Sequence, residues 1–268
     1  QHWVVENLRL MMTEPPTVYD CIEFEPAFRC GDVATENAFL AMDLRYRGAP
    51  DLATSYVQAY VAASGDHEQP DLLPTLIAYR AMVRAKVAVL AAAEPELPAN
   101  DRKGARGSAL RHVLLAAAVT VETRGPLWLI VCGPPASGKS ALCRKLAEIA
   151  HWPHVNTDVV RKELAGLAAT DHARAEHYTP EFSDRTYAAV HERASTATRE
   201  SSPVALLDGN FPTPQRRAAA IAAARAAGAA PVVVFVDVDE VTARTRATRR
   251  ADDATNVSDA GPEQAALL

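Results

Sequence analysis

The stretch GPPASGKS, Gly133 to Ser140, constrains the possible folds of this chain more than any other. It fits the pattern G-x-x-x-x-G-K-[ST], with an apolar run, LWLIVC, before it and an amphipathic run, ALCRKLAEIA, after it. Strand, glycine loop and helix start, in that order, build a cradle for phosphate. The loop of Gly133, Pro134, Pro135, Ala136, Ser137 and Gly138 can turn backbone N–H groups inward, because its two glycines tolerate conformations closed to other residues. The helix start at Lys139, Ser140 and Ala141 adds partial positive charge. Lys139 would reach the β- and γ-phosphates, and the Ser140 hydroxyl would ligate Mg²⁺. The bland alternative is a glycine turn carrying a solvated lysine. The three features in register favour the nucleotide site.

A phosphate loop requires a parallel sheet around it, and the sequence supplies one. Apolar runs at 127–132, 153–156, 204–208 and 231–236 alternate with helical segments. That pattern predicts strands covered by helices on both faces. The Ala-rich RRAAAIAAARAAGAA reads as a helix with a small-residue packing face. Upstream, WVVENLRL and TVYDCIEF predict a β-hairpin turned by the prolines of MMTEPPT. Helices follow in VATENAFLAMDLRY, with Ala34, Ala38, Phe39 and Met42 on one face, then in DLATSYVQAYVAAS and DLLPTLIAYRAMVRAKVAVLAAA. The last two each begin with an aspartate expected to cap the helix. EPELPANDRKGARGS reads as an exposed connection before a helix over 107–121.

Other residues offer chemistry around the loop. Asp208 ends the SPVALLD run, where a carboxylate can hold Mg²⁺ or position water; its alternative is a plain Asp-Gly turn. In HVNTDVVRKELAG, Asp158 and Arg161 stand three apart on one helical face. There Asp158 could orient or deprotonate an attacking hydroxyl while Arg161 holds an anion, or Asp158 could simply cap its helix. EVTARTRATRRADD carries Arg244, Arg246, Arg249 and Arg250, either a solvated basic face or a lid whose arginines close on a transferring phosphoryl group. Arg246 and Arg250 share a face. The histidines, His151 and His154 among them, make no metal motif and read as surface or core residues.

Composition narrows the classes. A net charge of −5 over 268 residues gives no global attraction to nucleic acid or anionic membrane. The longest apolar stretch, VLLAAAVTV, falls short of the roughly 20 residues of a membrane span. Cys132 and Cys143 sit in apolar surroundings and read as buried reduced thiols, which suits a cytoplasmic protein.

From LWLIVCGPPASGKSALCRKLA through NTDVVRKELAG, HYTPEFSDRTYAAV, ALLDGNF and RTRATRRADDATNVSDAG, the second half resembles the small P-loop kinases. It is similar to gluconate kinase, chloramphenicol phosphotransferase, zeta toxin and polynucleotide kinase relatives. The resemblance implies ATP and Mg²⁺ as cofactors, Asp158 at the acceptor hydroxyl, and Arg246 and Arg250 in the lid. VYDCIEFEPAFRCGDVATENAFLAMDLRYRG and YRAMVRAKVAVL resemble the C-terminal lobe of an aminoglycoside phosphotransferase-like domain, in the order found in bacterial bifunctional aminoglycoside phosphotransferase/ATP-binding proteins. By that likeness Asn7 and Asp20 are vestigial Mg²⁺ ligands. His2 stands where the catalytic aspartate belongs and Gln1 where its preceding glycine belongs, and the ATP-holding lobe would lie upstream of residue 1.

The expectation is therefore a partial, mainly helical lobe over 1–122, inactive by itself. It precedes an α/β P-loop kinase-like domain over 123–268 that lacks its last strand. The expected reaction moves the γ-phosphoryl group of ATP to a hydroxyl of a small molecule. A polynucleotide 5′-hydroxyl kinase, a nucleotide-binding module without turnover, and an inactive fragment stay open as alternatives.

Overall fold

A computed structural model describes residues 32–66, 69–168 and 171–251. The expected hairpin, with Asn7 and Asp20, lies outside these residues. The chain divides into two compact units at Thr123/Arg124, with Ile149–His151 grouped with the first.

Among the described residues the first unit has four helices: α1 (Val33–Tyr46), α2 (Pro50–Ser64), α3 (Gln69–Ala93) and α4 (Ala99–Glu122). Asp32 caps α1, its carboxylate accepting from the Ala34 amide at 2.8 Å. The predicted face of Ala34, Ala38, Phe39 and Met42 is buried. Phe39 and Met42 form one core with Leu73, Ile77, Leu115 and Val119. Two expectations are corrected. Ala49 and not Asp51 occupies the cap of α2, and Asp51 and Asp71 sit inside the first turns of α2 and α3, so they act by charge on the helix N-terminus. The polar stretch read as a connection is helical from Ala99, directly after Pro98. Its Gly104 and Gly107 face open space, and burial of Ala109, Leu115 and Val119 further along anchors the helix.

The second unit holds β1 (Leu127–Cys132), α5 (Lys139–Ala150), β2 (His154–Asn156) and α6 (Thr157–Leu164). It continues through α7 (Pro180–Glu200), β3 (Val204–Asp208), α8 (Pro214–Ala226), β4 (Ala230–Phe235) and α9 (Glu240–Ala251). The strands form one parallel sheet in the order β2-β3-β1-β4. This is the expected α/β P-loop arrangement. α7 packs on β3, and α8 on β4 and β1. Trp128, Ile130, Val190, Leu207 and Phe211 fill the core, with Ala220 and Ala224 as the small face of α8. Two register pairs place the site: Val131 opposite Asp208, and Asn156 opposite Asp208. β1, β3 and β2 therefore deliver their carboxyl ends side by side, the position where ligands bind in open α/β sheets.

Candidate functional site

β1 is an inner strand, so the loop that leaves it rises from the middle of the sheet. The loop needs its glycines. Gly133 has φ +137° and a Cβ there would collide with the carbonyl oxygen of Val236, while Gly138 has φ +108°. Ala136 also adopts a positive φ, 62°, and packs against Ala243 of α9. Lys139 is buried at the start of α5 and folds back on the loop, donating from Nζ to the Pro134 carbonyl at 2.6 Å. Inside the same loop the Ser137 hydroxyl is buried and makes no hydrogen bond among the described residues. A hydroxyl in that state carries a desolvation cost of about 1–3 kcal/mol, which an anion seated in the loop would relieve.

Asp208 faces the loop from the end of β3 and is 1% exposed. Its carboxylate accepts from Asn156 Nδ2 at 2.6 Å and from His154 Nε2 at 3.1 Å, and Ser140 donates its hydroxyl as well. Burial by itself would raise its pKa. The hydrogen bonds from His154, Ser140 and Asn156 outweigh that and hold it below the usual carboxylate value. A buried, ionised carboxylate beside a serine hydroxyl, at the mouth of a glycine loop, is an oxygen donor set of the kind Mg²⁺ takes.

Between loop and carboxylate lies a cleft of ≈ 770 Å³, lined by Gly138, Lys139, Ser140, Asp158, Arg193 and Asp208 among others. Asp158 borders it from the first turn of α6. Asn156 caps that helix, its side-chain oxygen accepting from the amides of Asp158 and Val159 at 2.9 and 3.1 Å, so Asp158 is not the cap. Arg161 takes a different course. It is buried, donates to the His177 carbonyl at 2.6 Å, stacks over Tyr178, and is not among the residues lining the cleft. Of the α9 arginines, Arg246 reaches the loop, donating to the Ser137 carbonyl at 2.9 Å, while Arg244 pairs with Glu240 on its own helix. Arg250 lies on α9 with its side chain outside the described atoms.

Three cleft features escape sequence reasoning. His154 and Asn156 contact Asp208 only because β2 pairs with β3. Arg193, on α7, pairs with Glu163 of α6 at 2.5 Å across the cleft wall. Only Asn156 left a signal: a cap-forming residue directly before TDVVRKEL.

Loop, carboxylate and sheet together define a P-loop nucleotide-binding domain of kinase-like type. A family model described as an AAA domain matches residues 129–266, and the chain belongs to that family. It is also similar to the uncharacterized proteins Rv2004c of Mycobacterium tuberculosis (strain ATCC 25618 / H37Rv) and Mb2027c of Mycobacterium bovis. Each is 34% identical over 210 residues, covering 76% of this chain and 40% of the relative. The chain thus matches well under half the length of these relatives. Among the described residues no helix is long and apolar enough to cross a membrane.

Proposed function

We propose that the second unit transfers the γ-phosphoryl group of ATP to a hydroxyl of a small molecule. The observation that carries this reading is the convergence, in one cleft, of a strained glycine loop, the buried Lys139 and the buried, ionised Asp208. Backbone N–H groups from Ala136 to Ala141, after the two prolines that follow Gly133, and the Lys139 ammonium would hold the β- and γ-phosphates, with the Ser137 hydroxyl facing an oxygen. Ser140 and Asp208 would hold Mg²⁺, which when bound neutralises charge on the phosphates. Their carboxylate and hydroxyl, hydrogen-bonded to each other, fit that ion.

Asp158 lines the same cleft from the first turn of α6 and would orient the acceptor hydroxyl and take its proton. Arg246, already on the Ser137 carbonyl, would turn toward the phosphoryl group as the lid closes, with Arg250 one turn further along. Arg161 ties α6 to the start of α7 through the His177 carbonyl and the Ser183 hydroxyl. The reading of residues 1–122 as a phosphotransferase-like lobe rests on sequence resemblance alone.

The test is a mass-spectrometric screen for ATP-dependent phosphorylation across hydroxylated metabolites and 5′-hydroxyl oligonucleotides. A phosphorylated small molecule, with turnover reduced on the order of 10²-fold in Asp158→Asn, supports the proposal. Phosphorylation of the oligonucleotide alone favours the nucleic-acid kinase. ATP binding without any product favours a module that binds and does not turn over.

A further inference from the structure

One cluster in the second unit shares Asp208 with the phosphoryl-transfer reading and adds two side chains that reading does not use. Cys143 on α5, His154 on β2 and Asp208 on β3 each offer one donor atom, and the three atoms all lie within 4.8 Å of one another. Cys143 and Asp208 are buried and His154 is half-buried. The three donors come from three separate elements, held in place by the P-loop helix and by the β2–β3 register.

The donor chemistry is mixed: one sulfur, one imidazole nitrogen and one carboxylate oxygen. Mg²⁺ takes oxygen and has little use for sulfur. Zinc takes all three, at about 2.3 Å from sulfur and about 2.0–2.2 Å from nitrogen and oxygen. Those bond lengths require donors about 3.5 Å apart in a tetrahedral site. Side-chain rotations moving the donors by about an ångström would close the set from its present spacing, and the adjoining cleft offers water as a fourth ligand. Asp208 is the hinge of the argument. Its carboxylate meets both Ser140 and His154, so one residue could serve either of two cations of different taste.

We propose that Cys143, His154 and Asp208 form a site for a thiophilic divalent cation of the zinc class, and that its occupation competes with Mg²⁺·nucleotide binding. On binding, the Cys143 thiol proton leaves to solvent and the sulfur becomes a thiolate ligand. The His154 proton moves from Nε2 to Nδ1, freeing Nε2 for the metal, and Asp208 exchanges the His154 hydrogen bond for coordination. No electron is transferred. The binding half of the proposal stands on these three residues alone. The competition half rests on reading Asp208 as the Mg²⁺ ligand.

Cobalt(II) titrated into the full chain without nucleotide is the probe. The expected result is one equivalent bound with a thiolate-to-cobalt charge-transfer band, displaced by zinc. Cys143→Ala removes the band, and His154→Gln weakens cobalt binding at least tenfold. Should Cys143→Ala fail to fold by circular dichroism, His154→Gln carries the test. No band, a band retained in Cys143→Ala, or cobalt affinity unchanged in His154→Gln means an adventitious ion only and overturns the site. In the second arm, saturating zinc weakens Mg²⁺·ATP binding at least tenfold in the native chain and not in Cys143→Ala. Equal weakening in both overturns the competition. Because the cobalt spectrum is read without nucleotide, a chain that fails to bind ATP at all defeats the proposed function and leaves the metal result intact.

Discussion

In the helical unit, charges that lose water close on one another. Arg45 meets both oxygens of Glu122 at 2.7–2.8 Å, Arg80 meets Glu36 at 3.1 Å, and Arg47 meets Asp43 at 3.0 Å. In the sheet unit, Lys139 and Asp208 are drier still and border the cleft without pairing with each other in an ion pair. Burying charge costs free energy in either place. In the helices that cost is offset by an opposite charge and fixes how α1 sits on its neighbours. Beside the cleft it keeps an ionised carboxylate and an ammonium poised where a ligand can reach them. Arg45 and Glu122 line a cavity too, so the difference lies in the partners: they answer each other, whereas Asp208 is held by hydrogen bonds from His154, Ser140 and Asn156 and keeps its charge for a ligand.

Four measurements can break or sharpen this contrast. The largest effect is expected at the loop. Gly133→Ala combines an unfavourable φ with collision against Val236 and should cost about 3 kcal/mol. Urea unfolding followed by the buried Trp128 and Trp152 of the sheet unit reads that loss; an unchanged midpoint would show a loop less constrained than described. Next, Asp208→Ala strands the donors of Asn156 and His154 and should cost about 2 kcal/mol. It should also abolish the Mg²⁺ dependence of nucleotide binding, which distinguishes it from a purely structural carboxylate.

Glu122→Ala is the counterpart in the helical unit. It leaves Arg45 half-buried without that carboxylate, at an expected 1–2 kcal/mol, roughly, and nucleotide affinity should not move. A shift in affinity would break the division of labour.

Acid gives the smallest and most distributed effect. Burial, before any neighbour, lowers the pKa of His112 in the helical unit and His191 in the sheet unit. As pH falls below about 6.5 the unfolded chain takes up protons first, so stability declines, by at most about 1.4 kcal/mol per pH unit for each group. The decline ends once each folded-state pKa is passed. Asp208, held low, adds its own loss only as pH falls through and below the ordinary carboxylate value of about 3.9. Thermal melts of native and His191→Phe chains between pH 7 and 5 check the first window; parallel curves would remove His191 from the account.

Much of this is legible in the sequence, for a physical reason. The phosphate loop works through local backbone geometry, so GPPASGKS and its flanks carry the whole signal, and the four strands fall within a residue or two of their apolar runs. Helix α4 hides in its first half because Asp101, Arg102, Lys103, Gly104 and Gly107 look like a loop, while the burial that anchors it lies further along. His154 is read as an ordinary surface or core histidine because its contact with Asp208, 54 residues away, exists only through strand pairing. Asp158 shows the same limit. Sequence leaves it balanced between cap and cleft, and the side chain of Asn156 settles which residue caps the helix.

The central claim is that the cleft binds Mg²⁺·ATP through Lys139. Calorimetric titration of Mg²⁺·ATP into the native chain and into Lys139→Ala tests it most directly. The account predicts binding by the native chain and a loss of at least about tenfold, or about 1.4 kcal/mol, in the variant. Equal affinity in the two proteins, or no binding by the native chain, would contradict it.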